Sequence, residues 1–138
     1  MSKAYSQLKK LDLKATTARK QILNLFQENP FPMDVQVIFE KLNTAGEKTD
    51  RATIYRILGT FILKGVVKQL DFQEGKFRYE LASLPHHHHL ICESCGHVDD
   101  VQDCVIQKEL EQYISKANNF TITTHRLDFF GQCGKCKL

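Results

Sequence analysis

Apolar residues recur at helical spacing three times in the first half of the chain, and the spacing then becomes strand-like. Ala18, Ile22, Leu25 and Phe26 share one helical face behind Thr16 and Thr17. Asn29-Pro30-Phe31-Pro32 stops that helix, because proline disfavours helical geometry in the residue before it. Asp34 is the expected N-cap of a second helix carrying Val35, Ile38, Phe39 and Leu42 inward, and Asn43-Thr44-Ala45-Gly46 ends it. Thr49-Asp50 begins a third, with Ile54, Leu58, Phe61 and Ile62 as its buried stripe and Gly65 at its end. Residues 66–72 and 76–81 are β-rich and joined by Gln73-Glu74-Gly75, a hairpin signal. Three short helices and a hairpin predict a winged helix-turn-helix, whose third helix enters the major groove of double-stranded DNA.

Leu81-Ala82-Ser83-Leu84-Pro85 reads as a hinge, dividing the chain into 1–83 and 84–138. Beyond it, residues 87–92 and 97–101 are expected strands around a turn at Cys95-Gly96. Asp103 is expected to cap a helix with Ile106, Leu110, Tyr113 and Ile114 on one face, and residues 120–130 form a long β-rich segment. The fold class is α+β: an N-terminal winged helix and a small C-terminal α/β domain. A unit of that size sits near the lower limit for folding alone, so it needs a metal staple, a dimer interface or both.

Composition sharpens this division. The 138 residues carry a net charge of +3, and 42% are hydrophobic. Residues 1–83 hold fourteen Lys+Arg against nine Asp+Glu, a net of +5; residues 84–138 hold five against seven, a net of −2. The basic half is the candidate for nucleic acid. No apolar run approaches the roughly 20 residues that cross a bilayer. With no secretory signal at Met1-Ser2-Lys3-Ala4-Tyr5, a cytoplasmic, reducing location is expected, where paired cysteines favour metal over disulfides.

Two Cys-x-x-Cys pairs, Cys92/Cys95 and Cys133/Cys136, supply a tetrahedral all-thiolate zinc site. Four thiolates leave no open position for a substrate, so the site reads as structural. Cys104 fits neither pair and reads as a small buried hydrophobe. Immediately before Cys92 stands His86-His87-His88-His89. Side chains alternate along a strand, so His86 and His88 face one way and His87 and His89 the other, one pair per metal site. One pair can be joined by Glu80 and Asp100, the other by His125. Such imidazole and carboxylate sets suit zinc, iron, manganese or nickel. Opposite its apolar stripe, the third helix presents Arg51, Thr53, Tyr55 and Arg56, residue types that grip phosphates and read base edges. Singly, each is as well explained as a solvated face; as a group on that helix they favour DNA.

The run from His86 to Gly96, together with Ala52-Thr53-Ile54-Tyr55-Arg56, His125 and Gly131, resembles the ferric uptake regulator family from about Leu13 to Cys136. The resemblance implies a homodimeric, metal-dependent bacterial transcriptional repressor built from a winged-helix domain and an α/β dimerisation domain. It implies a structural zinc on Cys92, Cys95, Cys133 and Cys136. It also implies a regulatory zinc or ferrous ion on Glu80, His87, His89 and Asp100, and a second site on His86, His88 and His125. Arg19, Tyr55 and Arg56 fall on the family's DNA-contacting positions. The chain departs from the family in three places. No histidine precedes His86, where iron and peroxide sensors carry one near Pro32. Gln107 replaces a glutamate of the second site, for which Glu109 or Asp103 can substitute. No cysteine stands near Ala82, where zinc regulators often have one. The unbroken four-histidine run favours zinc as the sensed ion, with iron next.

The expected function is a repressor of metal homeostasis in which metal at the interdomain hinge promotes operator binding. The rivals are a zinc-stabilised DNA-binding module without sensing and, more remotely, a zinc hydrolase or deaminase. The enzyme reading lacks both His-Glu-x-x-His and a His-x-Glu before Pro-Cys-x-x-Cys.

Overall fold

The computed structural model describes residues 3–102, 104 and 106–137. The chain forms two compact units, Met1–Leu84 and Pro85–Leu138.

The first unit holds helices α1 (Lys3–Lys10), α2 (Thr17–Glu28), α3 (Val35–Thr44) and α4 (Arg51–Leu63), then strands β1 (Val67–Asp71) and β2 (Phe77–Leu81). Three of the helices start on a side-chain cap that satisfies an otherwise orphaned backbone N–H. Thr16 accepts from the Arg19 N–H, Asp34 from Val37 and Asp50 from Thr53. Helix α4 ends where Gly65 takes a φ of +71°, which lets the Val66 N–H reach the Phe61 carbonyl at 2.8 Å. The core is a single cluster that includes Ile22, Phe26, Ile38, Ile54 and Phe61, each fully buried. Within α4, Ile57 belongs to this cluster, whereas Ile62 is 37% exposed and lies outside the expected stripe. On a 3.6-residue period, 54, 57, 58 and 61 make one continuous face, and 62 lies further round the helix.

Helix α1 was not expected from the hydrophobic pattern. Its Ala4 and Leu8, one turn apart, are both fully buried in the core. Strands β1 and β2 pair antiparallel, from Val67 opposite Leu81 to Asp71 opposite Phe77, and Met33 bridges to Tyr79 as a short third rung. Asp34, next to that rung, caps α3 and also takes an ion pair from Lys76 in the loop between β1 and β2. Burial alone pushes its carboxyl up, but Lys76 and the Val37 N–H outweigh burial and hold it below the ordinary aspartate value. A depressed carboxylate contributes stability above its unfolded pKa and loses it as pH falls through the folded one. Asp34→Ala is therefore expected to cost about 1–2 kcal/mol at neutral pH, as for a lost N-cap. The deficit should narrow on acidification, read as denaturant midpoints by circular dichroism.

The second unit centres on β3 (His88–Cys92). β4 (Val98–Val101) pairs antiparallel on one side and β5 (Asp128–Gly131) pairs parallel on the other. Helix α5 (Lys108–Ala117) lies between β4 and β5 in sequence. The expected long strand over 120–130 is confined to its last residues. Helix α5 begins behind Gln107, so Ile106 precedes it. Asp103, the expected cap, lies outside the described residues. Among the described residues of this unit, only Ile91 and Cys92 are buried apolar side chains, and α5 buries none. Leu110, Tyr113 and Ile114 on α5 and Phe129 and Phe130 on β5 are exposed. Such a unit has no sufficient core of its own. Among the described residues, no helix is long and apolar enough to cross a membrane.

Candidate metal centres and nucleic-acid face

Two tight turns bring the cysteines together. Cys92 ends β3, and Gly96, at a φ of +77°, donates its N–H to the Cys92 carbonyl at 2.9 Å, closing the first Cys-x-x-Cys. The Cys136 N–H closes the second on the Cys133 carbonyl at 3.0 Å. Parallel pairing of β5 with β3, Gly131 opposite Cys92, places the two turns side by side. The four sulfurs lie within 4.8 Å of one another, and Cys95 and Cys133 are 3.7 Å apart. A tetrahedron of zinc–sulfur bonds near 2.3 Å has edges of about 3.8 Å, so the donor set fits zinc. Its electrostatics point the same way. The Cys133 N–H, then that of Cys95, holds the Cys92 thiol down at about 6, and backbone donors also lower Cys133. Crowding, first by Cys133, pushes Cys136 up to about 12. Four thiolates cannot coexist here without a cation, and a dication resolves the conflict.

The histidines divide by strand alternation. On one face, His87 Nε2 and His89 Nε2 converge to 3.1 Å. His87 Nδ1 donates to the Pro85 carbonyl at 2.7 Å and His89 Nδ1 to Asp128 at 3.2 Å. With both Nδ1 positions serving as donors, the two neutral rings turn Nε2 lone pairs toward each other, an arrangement suited to a shared cation. Asp100, directly across β4, brings a carboxylate oxygen to 3.9 Å from His89 Nε2. Glu80 lies on β2 in the first unit, where Lys68 approaches it at 3.5 Å. On the other face, His86 Nε2 meets His125 Nε2 at 3.1 Å. Burial, then the neighbouring His86 and His125, pushes the His88 imidazole below its ordinary value.

Cys104 corrects the sequence reading. It is exposed rather than a buried hydrophobe, and its sulfur lies 3.3 Å from both His88 Nε2 and His125 Nε2. Glu109 takes no part in this cluster. Two carboxylates with supporting roles also escaped sequence reasoning. Glu111 accepts from His125 Nδ1 at 2.6 Å, and Asp128 accepts from both His89 and Arg126. Only Glu111 left a trace, a carboxylate on the polar side of an amphipathic helix.

In the first unit, an open groove of about 760 Å³ beside the wing is lined by residues including Arg51, Tyr55 and Lys76. Arg51 donates twice to Gln36 Oε1, at 3.0 and 2.8 Å, and stacks 4.1 Å over the Phe39 ring. Its guanidinium is therefore held by its own fold. Arg56 donates to Thr53 Oγ1 at 3.0 Å, Tyr55 is 56% exposed, and Arg19 donates to the Lys14 carbonyl at 3.0 Å.

A winged-helix unit followed by a small sheet dense in sulfur and imidazole defines a DNA-binding regulator that carries metal. Residues 10–130 match the ferric uptake regulator family. The chain is 36% identical to the ferric uptake regulation protein of Vibrio vulnificus over 99% of its own length and 93% of that protein's. Its fold matches a crystal structure of the Vibrio cholerae ferric uptake regulator with a TM-score of 0.84 at 34% identity, over 94% of this chain and 98% of the other. It also matches the ferric uptake regulator of Francisella tularensis with iron, at 0.80 and 29%, over 90% and 94%. The chain belongs to the ferric uptake regulator family, whose members are dimeric, metal-responsive transcriptional regulators and not enzymes.

Proposed function

We propose that this chain is a homodimeric repressor whose operator affinity is set by metal on His87, His89 and Asp100, joined by Glu80 of the first unit. The observation that carries this reading is the pair of Nε2 atoms 3.1 Å apart, each ring fixed through its Nδ1. Two imidazoles and two carboxylates accept zinc, iron or manganese. The names of the relatives support iron, and that moves the preference away from zinc. A bound cation supplies positive charge that lets all four donors meet. That arrangement gains population only as far as it holds the ion better than the open one does. Tyr55, Arg56 and Arg19 are proposed to contact the operator, with Thr53 orienting Arg56 and Arg51 joining them from the rim of the groove. The exposed apolar residues of α5 and β5 are proposed as the homodimer interface, and Cys92, Cys95, Cys133 and Cys136 as its structural zinc site. His86, His88 and His125 are proposed as a second site. The test is an operator titration at buffered free ferrous iron, zinc and manganese. Affinity should rise with ferrous iron, and equal affinity in chelator and in every metal overturns the reading.

A further inference from the structure

We propose that Cys104 is the fourth ligand of the His86–His88–His125 cluster, making it a closed site of three imidazoles and one thiolate that selects zinc over ferrous iron. The inference rests on reading those histidines as a metal site. The geometry matches four-coordination. Zinc–nitrogen bonds near 2.0 Å and zinc–sulfur near 2.3 Å give tetrahedral edges of about 3.3 Å between nitrogens and about 3.5 Å from nitrogen to sulfur. Here His86 and His125 are 3.1 Å apart, and the Cys104 sulfur is 3.3 Å from both His88 and His125. All four donor atoms lie within 4.8 Å of one another. Two rings are already turned for this task. His125 donates its Nδ1 proton to Glu111 at 2.6 Å and His88 already presents Nε2 to the Cys104 sulfur, so Nε2 is the ligating atom of each.

The thiolate decides the metal. An all-nitrogen and oxygen cluster tolerates iron and manganese, whereas one soft sulfur beside three imidazoles favours zinc. It also contributes the negative charge that the neutral Gln107 does not. With four protein donors the site is closed, which is the property of a structural rather than a catalytic centre. Its donors come from β3 and the residues just before it, the segment before α5 and the segment before β5, so bound metal ties the approach to α5 to the sheet.

Cobalt(II) is the probe, added to full-length protein whose four-cysteine site already holds zinc. The expected result is a cobalt ion with tetrahedral ligand-field bands and a sulfur-to-cobalt charge-transfer band. His87→Ala with His89→Ala should keep both features. Cys104→Ser should lose the charge-transfer band and weaken zinc binding by at least about 100-fold, since losing even an outer partner of a ligand costs about 10–100-fold. Cys104→Asp, which restores an anionic donor, should bind cobalt without the charge-transfer band and discriminate less against ferrous iron. A charge-transfer band unchanged in Cys104→Ser, or equal zinc affinity in that variant, overturns the assignment of Cys104 alone. No cobalt bound by the His87→Ala with His89→Ala variant, in which only the His86, His88 and His125 cluster is left to take it, overturns the histidine site as well.

Discussion

Cys92→Ser is expected to unfold the second unit and dissociate the dimer while leaving the winged helix folded. The second unit's described residues bury only Ile91 and Cys92 among apolar side chains, whereas the first unit's core runs through all four of its helices. What the second unit lacks in burial has to come from cross-links. Structural zinc in small domains contributes about 10–16 kcal/mol of apparent binding energy, nearly all of it folding energy when no preformed site survives unfolding. Cys92 is the most sensitive ligand to remove. It terminates β3, its carbonyl closes the Gly96 turn, and its sulfur takes the Cys133 N–H at 3.3 Å. The substitution therefore loosens both turns as well as removing a thiolate. Zinc content should fall by at least one ion per chain, sedimentation should shift to monomer, and helix content should drop by about α5. A separate unfolding transition of the first unit should persist. A variant that keeps its zinc and still sediments as wild type would remove the staple from this account.

The contrast between the two units also explains what could be read from the sequence. Helices α2, α3 and α4 each carry a cap residue and a full apolar period, so their local signals agree with the tertiary structure. Helix α1 offers only Ala4 and Leu8 in eight residues, and its place is set by the core it covers. Strand β5 shrank to Asp128–Gly131 because β propensity extends further than the pairing with β3. The division of the histidines between two faces follows from the two-residue period of a strand. Cys104 was not legible because its partners lie 16 and 21 residues away, brought in by irregular segments with no period. Asp128 was hidden for a related reason: its contact with His89 depends on parallel register, which no local pattern encodes.

That register underlies the second large effect. His87→Ala together with His89→Ala is expected to abolish metal-dependent operator binding while the protein stays folded and dimeric. His89 on β3 and His87 just before the strand turn toward each other and away from His88, so their loss spares the His86 and His125 cluster and the four cysteines. The Asp128 carboxylate, deprived of His89, keeps its hydrogen bond from Arg126 at 2.9 Å, which limits the cost of truncating a buried ring. Coupling between two binding sites is commonly 5–150-fold, and that gain in operator affinity should collapse to none in the double variant. Asp128→Asn separates holding a ligand from orienting it. It leaves both imidazoles in place but weakens the acceptor that fixes the His89 tautomer, so metal affinity should fall by about 10–100-fold. The operator titration should then need proportionately more metal and still reach the wild-type plateau. A plateau lost in Asp128→Asn but kept in the double-histidine variant would place the sensing ion elsewhere.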